Sequence, residues 1–299
     1  MARLVSELDI QQFAMDGVVC LRGVFSQHWV DLVRRGIDAN MAAPSPFGES
    51  LKDNENEGAY FDDYCNWEKI PEFKNFIMES PAAEIAGRLM ESQEAAIYHE
   101  HVLNKEPGTA KRTPWHHDQS YYPIDGSKVC SIWMPVDPVP LETAISFVRG
   151  SHLWNAWFYP RKFATEQRYP LSDGSGAVHR RYEDVPSDEI DSGQHELLAW
   201  PMEPGDCIVF HMKTVHGAPG NASQSSHRRV LSTRWLGDDT VITTRPWDVS
   251  PPLLAPLRPG DRAISKYFPV IWRRTEQPEV SLKPGSHVGA MREADALHL

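Results

Sequence analysis

His116-His117-Asp118 and, much further along, His216 are the residue types that hold a first-row metal: imidazoles and a carboxylate. On an extended chain, residues i and i+2 project to the same face. His116 and Asp118 can therefore reach one ion together while His117 points away, and His216 in Thr214-Val215-His216-Gly217 supplies a third ligand. Two histidines and one carboxylate on one face of Fe(II) leave the remaining positions open for a co-substrate and O2, which is the chemistry of an oxygenase. The spacing alone leaves alternatives open. His117 could stand in for His116, and His211 for His216, or His116 and Asp118 could form a surface pair. His211 belongs to the strand-like run Cys207–His211, whereas His216 is followed by Gly217-Ala218-Pro219-Gly220-Asn221. His99 and His101 share a strand face but have no third partner nearby, so they read as barrel residues. His152 reads as closing a turn.

Arg228 opens another strand-like segment after His216. A 2-oxoglutarate co-substrate chelating iron through its keto-acid end needs a cation for its far carboxylate. A guanidinium offers planar, bidentate pairing and stays charged when buried. Alternation does not say whether Arg228 or Arg229 points inward. Trp133 reads equally as core packing and as lining of the co-substrate site. Together His116, Asp118, His216 and Arg228 form one chemical unit. The competing readings are a cupin-like metal- or small-molecule-binding protein without oxygenase activity, and a metalloenzyme that does not use 2-oxoglutarate. A binder has no evident need for a buried cation at Arg228.

The elements that must position these residues fall into two parts. Residues 7–16 are predicted helical, with Ser6 as N-cap, Ile10, Phe13 and Ala14 as the apolar side, and Gly17 as the stop. Val18–Leu21 reads as a short strand. A second helix runs from 26 to 41 with Val30, Leu32, Val33 and Ile37 on one face, and two short helices lie near 70–79 and 81–91. Residues 42–66, rich in Gly, Asn, Asp and Pro, read as a loop. From about 95 the chain changes to short apolar runs separated by Gly and Pro: 96–98, 129–134, 144–148, 207–210 and 230–235. That spacing predicts an antiparallel sandwich or barrel. Between 153 and 196 lies a long insertion of the kind used as a lid or binding loop. It carries Trp154, Trp157, Phe158, Tyr159, Arg161, Lys162, Arg168, Arg180 and Arg181, and reads equally as a receiver of an anionic or amphipathic substrate and as a solvated loop whose aromatics pack on the barrel.

These segments also carry a family resemblance. Asp16-Gly17-Val18-Val19, Lys105-Glu106-Pro107-Gly108, Pro114-Trp115-His116-His117-Asp118, Gly150-Ser151-His152, Pro204-Gly205-Asp206, His216-Gly217-Ala218-Pro219-Gly220-Asn221 and Arg228-Arg229-Val230-Leu231-Ser232 resemble, in order, the motifs of the phytanoyl-CoA dioxygenase (PhyH) family of Fe(II)/2-oxoglutarate oxygenases. The likeness covers roughly residues 10–240. It implies a mainly β fold with flanking α-helices around a double-stranded β-helix (jelly-roll, cupin-like) core. It places iron at His116, Asp118 and His216, 2-oxoglutarate at Arg228, and His117, Trp133 and Ser232 near the co-substrate. The implied reaction, with O2 as oxidant and ascorbate as a stimulant, is hydroxylation or another oxidation of an unactivated C–H bond in a small organic substrate, releasing succinate and CO2. The domain then spans 1–275, with a helical part over 1–94 and the jelly-roll core over about 95–240.

The chain departs from the family pattern twice. His117 stands where the family usually has Gln, which leaves a polar group near the co-substrate. Glu142-Thr143-Ala144 stands where an Asn-Gly pair is usual, a change expected to touch no ligand. Asp118 occupies the position that related halogenases leave to a small residue, so the carboxylate implies oxygenation instead of halogenation.

Bulk properties narrow the partners. The 299 residues include 41 acidic and 30 basic side chains, for a net charge of −11. That balance argues against nucleic acid or an anionic membrane surface. No apolar run is long enough for a membrane span, and no signal peptide is visible. Cys20, Cys65, Cys130 and Cys207 are scattered, with no C-x-x-C pair. The expectation is a soluble protein in a reducing, cytoplasmic setting. The polar tail over 276–299 reads as disordered or as a segment for homo-oligomer assembly.

Overall fold

The computed structural model describes residues 4–172 and 180–275. The tail expected at 276–299 lies outside the described residues. Helix α1 (Glu7–Asp16) starts at a capping box: the Ser6 hydroxyl accepts the Asp9 N–H at 3.2 Å, and the Asp9 carboxylate accepts the Ser6 N–H at 2.7 Å. It stops at Gly17, whose φ of 77° is left-handed. A Cβ there would lie 2.3 Å from His152 Nδ1, so conformation and packing both demand glycine. Phe13 is buried, whereas Ala14, expected beside it, is exposed.

Strand β1 (Val18–Leu21) and helix α2 (Gln27–Ala42) follow, the latter burying Val30, Leu32, Val33 and Ile37. Strands β2 (Glu49–Leu51) and β3 (Tyr60–Tyr64) come next, then helices α3 (Pro71–Glu79) and α4 (Ala82–Leu89). The β-rich part contains β4 (Glu94–Lys105), β5 (Thr113–His116), β6 (Ile124–Asp125), β7 (Val129–Pro135) and β8 (Ser146–Val148). After the short helix α5 (Ser187–Asp191) come β9 (Leu197–Leu198), β10 (Cys207–His211), β11 (His216–Ala218), β12 (Arg228–Leu236), β13 (Val241–Ile242) and β14 (Val270–Arg273).

Two antiparallel sheets carry the architecture. The larger runs β1-β10-β7-β12-β4-β3-β2, with β14 also on β4, and the smaller runs β5-β11-β8-β9. Facing sheets with this non-sequential order form a jelly roll. Strand alternation divides the larger sheet cleanly. Cys130, Ile132, Met134, Cys207, Val209, Leu231 and Trp235 pack in one cluster with the helices. Trp133, Ile208, Phe210 and Val230 point the other way, against Phe147 and Ala218 of the smaller sheet. The inner face between the sheets is where the polar residues of β4 and β12 meet the predicted ligands.

The stretch 42–66 is not a plain loop. β2 and β3 form a hairpin that extends the larger sheet through β4, with Asp62 opposite Leu103 and Tyr64 opposite His101. The run Tyr60-Phe61-Asp62-Asp63-Tyr64 does not alternate by polarity because its outward carboxylate is buried and satisfied. Asp63 accepts from the Asn40 side chain at 2.8 Å and from the Ser45 backbone and hydroxyl at 2.7 and 2.5 Å.

Candidate metal centre

The ligand candidates come from three local structures. His116 ends β5 and His216 begins β11, and the two are direct cross-strand partners. The strand does not continue through Asp118 as expected. His117 is still extended, with φ −122° and ψ 143°, and Asp118 opens a 3-10 turn over Asp118–Tyr121. One extended residue is enough to set His116 and Asp118 on the same side, so the i, i+2 argument survives the end of the strand. One ligand atom from each of His116, Asp118 and His216 lies within 4.8 Å of the others, and all three residues are buried. Among the described residues this is the sole cluster of three such groups.

The ring orientations suit a metal. His116 Nδ1 donates to the Pro114 carbonyl at 2.8 Å, and His216 Nδ1 to the Thr214 carbonyl at 2.9 Å. Those bonds fix the tautomers and leave both Nε2 lone pairs turned inward, as metal-bound imidazoles require. The Nε2 atoms lie 3.5 and 3.7 Å from Asp118 Oδ1. Phe147 and Phe210 hold the His216 ring, with centroids at 5.7 and 4.6 Å.

Asp118 Oδ2 is occupied from behind. It accepts from the Ser131 hydroxyl at 2.8 Å and faces the Arg234 guanidinium at 3.6 Å. Burial alone would raise the Asp118 pKa, but Arg234 and the two histidines hold it well below the usual carboxylate range. Burial, reinforced by His116, pushes His216 down to about 3. At neutral pH the set therefore offers an ionised carboxylate and a neutral His216 imidazole, the forms that bind metal. Ser131 and Arg234 were not singled out from sequence, yet the signal was present. Arg228, Val230, Ser232 and Arg234 alternate along β12, so an inward Arg228 requires an inward Arg234.

The three residues open onto one cavity between the sheets, lined also by Trp133, Arg228, Ser232 and Arg234. Arg228 is buried and donates to the Thr143 carbonyl, but no carboxylate pairs with it among the described residues. Burial lowers its pKa to about 10, so it remains a cation at neutral pH. Thr143 lies in the segment that departs from the family pattern and was expected to be remote from any ligand. Its backbone in fact touches the arginine. Lys105, the cross-strand partner of Arg228, is spent on the Pro219 carbonyl at 2.7 Å. Arg229 points outward and pairs with Asp137 at 2.8 Å and Asp38 at 2.9 Å. Ser232 Oγ is buried without a hydrogen-bond partner. Trp133 both packs in the inter-sheet core and lines the cavity.

His117 is not brought to this cavity. Its Nε2 contacts the Ser120 hydroxyl and accepts the Phe158 N–H at 3.4 Å, and its ring packs on Trp157 and Phe158. The alternation that brings His116 inward turns His117 outward, so it does not line the space where a co-substrate would sit. His211 is likewise elsewhere, bonded to the Ser127 carbonyl at 2.9 Å. His152 Nε2 donates to the Ala14 carbonyl at 3.1 Å, in keeping with a structural role.

The insertion reaches the cavity through Arg161, Lys162, Phe163, Ala164 and Tyr169. Its arginines are largely committed to protein carboxylates. Arg161 pairs with Asp184 at 2.8 Å, Arg168 pairs with the same carboxylate, and Arg180 pairs with Asp125 at 2.9 Å while its guanidinium covers Trp157. Three of the cations expected to receive an anionic substrate are therefore committed to protein carboxylates, while Lys162 lines the cavity beside Glu49.

Comparison with known proteins agrees with this geometry. The family model for phytanoyl-CoA dioxygenase (PhyH) matches residues 13–230, and the chain belongs to that family. A probable phytanoyl-CoA dioxygenase of Caenorhabditis elegans is 21% identical over 182 residues, covering 59% of this chain and 51% of that protein. The multifunctional dioxygenase prhA of Penicillium brasilianum is 28% identical over 233 residues, covering 74% of this chain and 68% of its own. The chain thus spans about half to two thirds of the length of these relatives. Among solved structures, the non-haem alpha-ketoglutarate-dependent carbocyclase SnoK from nogalamycin biosynthesis superposes with a TM-score of 0.68 at 24% identity, over 89% of this chain and 96% of that one. That likeness shows the fold. Within the described residues, no helix is long and apolar enough to cross a membrane.

Proposed function

We propose that this protein is an Fe(II)- and 2-oxoglutarate-dependent oxygenase that oxidises a C–H bond of a small organic substrate. The observation that carries the reading is the pairing, in one cavity, of the His116/Asp118/His216 donor set with the buried, carboxylate-free Arg228 guanidinium. The donor set fits iron: two neutral nitrogens and one carboxylate oxygen suit a centre with open positions. When bound, the iron and co-substrate would supply the oxidation of the C–H bond, coupled to release of succinate and CO2.

The protein's own residues then have defined tasks. Arg228 holds the far carboxylate of 2-oxoglutarate, and a buried cation does so strongly because water competes little there. Ser232 Oγ, unpartnered in the protein, donates to the same molecule. Ser131 and Arg234 keep Asp118 ionised and turn Oδ1 toward the metal position. Phe163 and Tyr121, packed on His116 with centroids at 5.0 and 5.8 Å, exclude water from that side. The described part of the insertion serves as the lid, through Lys162, Phe163 and Tyr169. The family name does not name the substrate, and four free cysteines suit a reducing, cytoplasmic setting.

The test is direct. Purified protein given Fe(II) and 2-oxoglutarate should form succinate under air and, without air, develop a weak visible charge-transfer band. Asp118→Ala should lose both. Succinate formation by that variant with stoichiometric iron would refute the assigned ligand set, and a wild type that forms none would favour a non-catalytic metal binder.

A further inference from the structure

Across the cavity from the smaller sheet, β3 and β4 present a second group of polar side chains that the metal centre does not use. Alternation puts Asp62 and Tyr64 of β3, and His99 and His101 of β4, on the cavity wall. Their outward neighbours are fully satisfied: Asp63 as described above, and Glu100 by the Asn66 and Trp67 backbone N–H groups at 2.6 and 3.0 Å. Of the inward groups, Tyr64 shares a hydrogen bond with the Ser250 hydroxyl at 2.9 Å, but Asp62 and His99 are not satisfied in that way. Asp62 is 6% exposed, yet its sole partner among the described residues is His101 Nε2 at 3.5 Å, too long for a hydrogen bond. His99 is 2% exposed. Its Nδ1 donates to the Glu100 carbonyl at 3.1 Å, which leaves Nε2 as a bare lone pair, and that atom has no partner. His99 is also the cross-strand partner of Arg234, the residue behind Asp118, and it lines the same cavity as the three metal-ligand candidates.

A buried acceptor without a donor costs stability, and native proteins keep such groups where a ligand completes them. Here one such lone pair, His99 Nε2, shares a wall with the cavity-facing Asp62 carboxylate, and Glu49 stands directly opposite Asp62 on β2. Resting on the oxygenase reading, we infer that Asp62 and His99 form the substrate-orienting subsite, and that the substrate presents O–H or N–H donors to this wall. Hydroxyl and ammonium groups share that chemistry. A carboxylate or phosphate on the reacting part of the molecule would instead meet Asp62 and Glu49 and be repelled. The wall thus favours a hydroxylated or aminated group, and the anion that the insertion's composition suggested would have to sit at Lys162, which lines the same cavity beside Glu49.

The experiment uses full-length protein loaded with Mn(II) and 2-oxoglutarate, which is paramagnetic but does not turn over. Three probes are compared by the relaxation of their protons against a Zn(II)-loaded control: myo-inositol for hydroxyls, 1,4-diaminobutane for ammonium groups, and octanoate. We expect Mn(II)-dependent relaxation of inositol or diaminobutane and none of octanoate. The effective donor probe should bind about tenfold more weakly to Asp62→Asn and to His99→Phe, the loss of one charge-assisted or buried hydrogen bond. Relaxation of octanoate alone, of no probe, or of a donor probe equally in wild type and both variants would overturn the subsite. Failure of Mn(II) to bind would instead count against the metal centre, and saturation transfer from the metal-free protein to the two donor probes would still decide the wall. Asp62→Asn should also keep or raise Tm, because its carboxylate holds nothing in place. A fall of more than about 4 °C would make Asp62 a structural residue and overturn the proposal.

Discussion

Asp118 carries two duties on two oxygens. Oδ1 faces His116 and His216, while Oδ2 is bonded to Ser131 and faces Arg234. Supports of this kind typically contribute 10- to 100-fold in metal affinity. Ser131→Ala removes one hydroxyl without a change of shape, so it should fold normally and weaken Mn(II) binding by about tenfold in a titration. An unchanged affinity would show that Arg234 alone orients the carboxylate. The two adjacent arginines separate equally well. Arg228→Met should raise the Kd for 2-oxoglutarate by at least about 30-fold, the loss of a buried charge-assisted pair. Arg229→Ala removes only the outward pairs with Asp137 and Asp38, so co-substrate binding should not change and stability should fall by about 1 kcal/mol or less. Equal effects of the two substitutions on 2-oxoglutarate binding would remove Arg228 from its assigned role.

The hairpin of β2 and β3 is the element that sequence patterning missed, and it supplies Asp62 to the cavity. Its anchor is Asp63, which joins β3 to Asn40 of α2 and to Ser45 in the connecting segment. Burial would raise the Asp63 pKa, but the hydrogen bonds from Ser45 and Asn40 outweigh it and lower the value. A carboxylate depressed in the folded state adds stability that is fully present above its unfolded pKa and is lost as pH falls through the folded value. Urea unfolding of the wild type from pH 6 downward should therefore show a loss of stability that begins near the ordinary carboxylate range, about pH 4. Asp63→Asn should be less stable at neutral pH and show a shallower acid loss. Identical acid limbs for the two proteins would mean that Asp63 does not anchor the hairpin. Polarity alternation could not reveal this strand because both of its aspartates are buried, one satisfied by the protein and one held for the cavity.

At the scale of the whole molecule, the cavity joins both sheets, the β2–β3 hairpin and the insertion, so its ligands should act as cross-braces. Fe(II) or Mn(II) with 2-oxoglutarate at about 100 times Kd should stabilise the fold by about 2.7 kcal/mol, seen as a Tm rise of several degrees. A chelator should reverse the rise, and Asp118→Ala should abolish it. An equal rise in that variant would place the metal elsewhere. Much of this molecule was legible in the chain. The helix signals at Ser6 and Gly17, the short apolar runs of the jelly roll and the His-x-Asp spacing are all local, and local rules of capping and alternation are enough to read them. Local rules also explain why His117 turns outward, although the expectation of a polar group beside the co-substrate overlooked them. Other features needed the packed fold. The sequence could not say which of Arg228 and Arg229 faces inward, because alternation has two phases and only the placement of β12 between β7 and β4 chooses one. Nor could it show that Arg161, Arg168 and Arg180 are committed to Asp184 and Asp125, or that His99 Nε2 stands without a partner. Whether a polar group is satisfied depends on residues far away in the chain, so the motif determined the class of chemistry, while tertiary packing decided which polar groups remain free to meet a substrate.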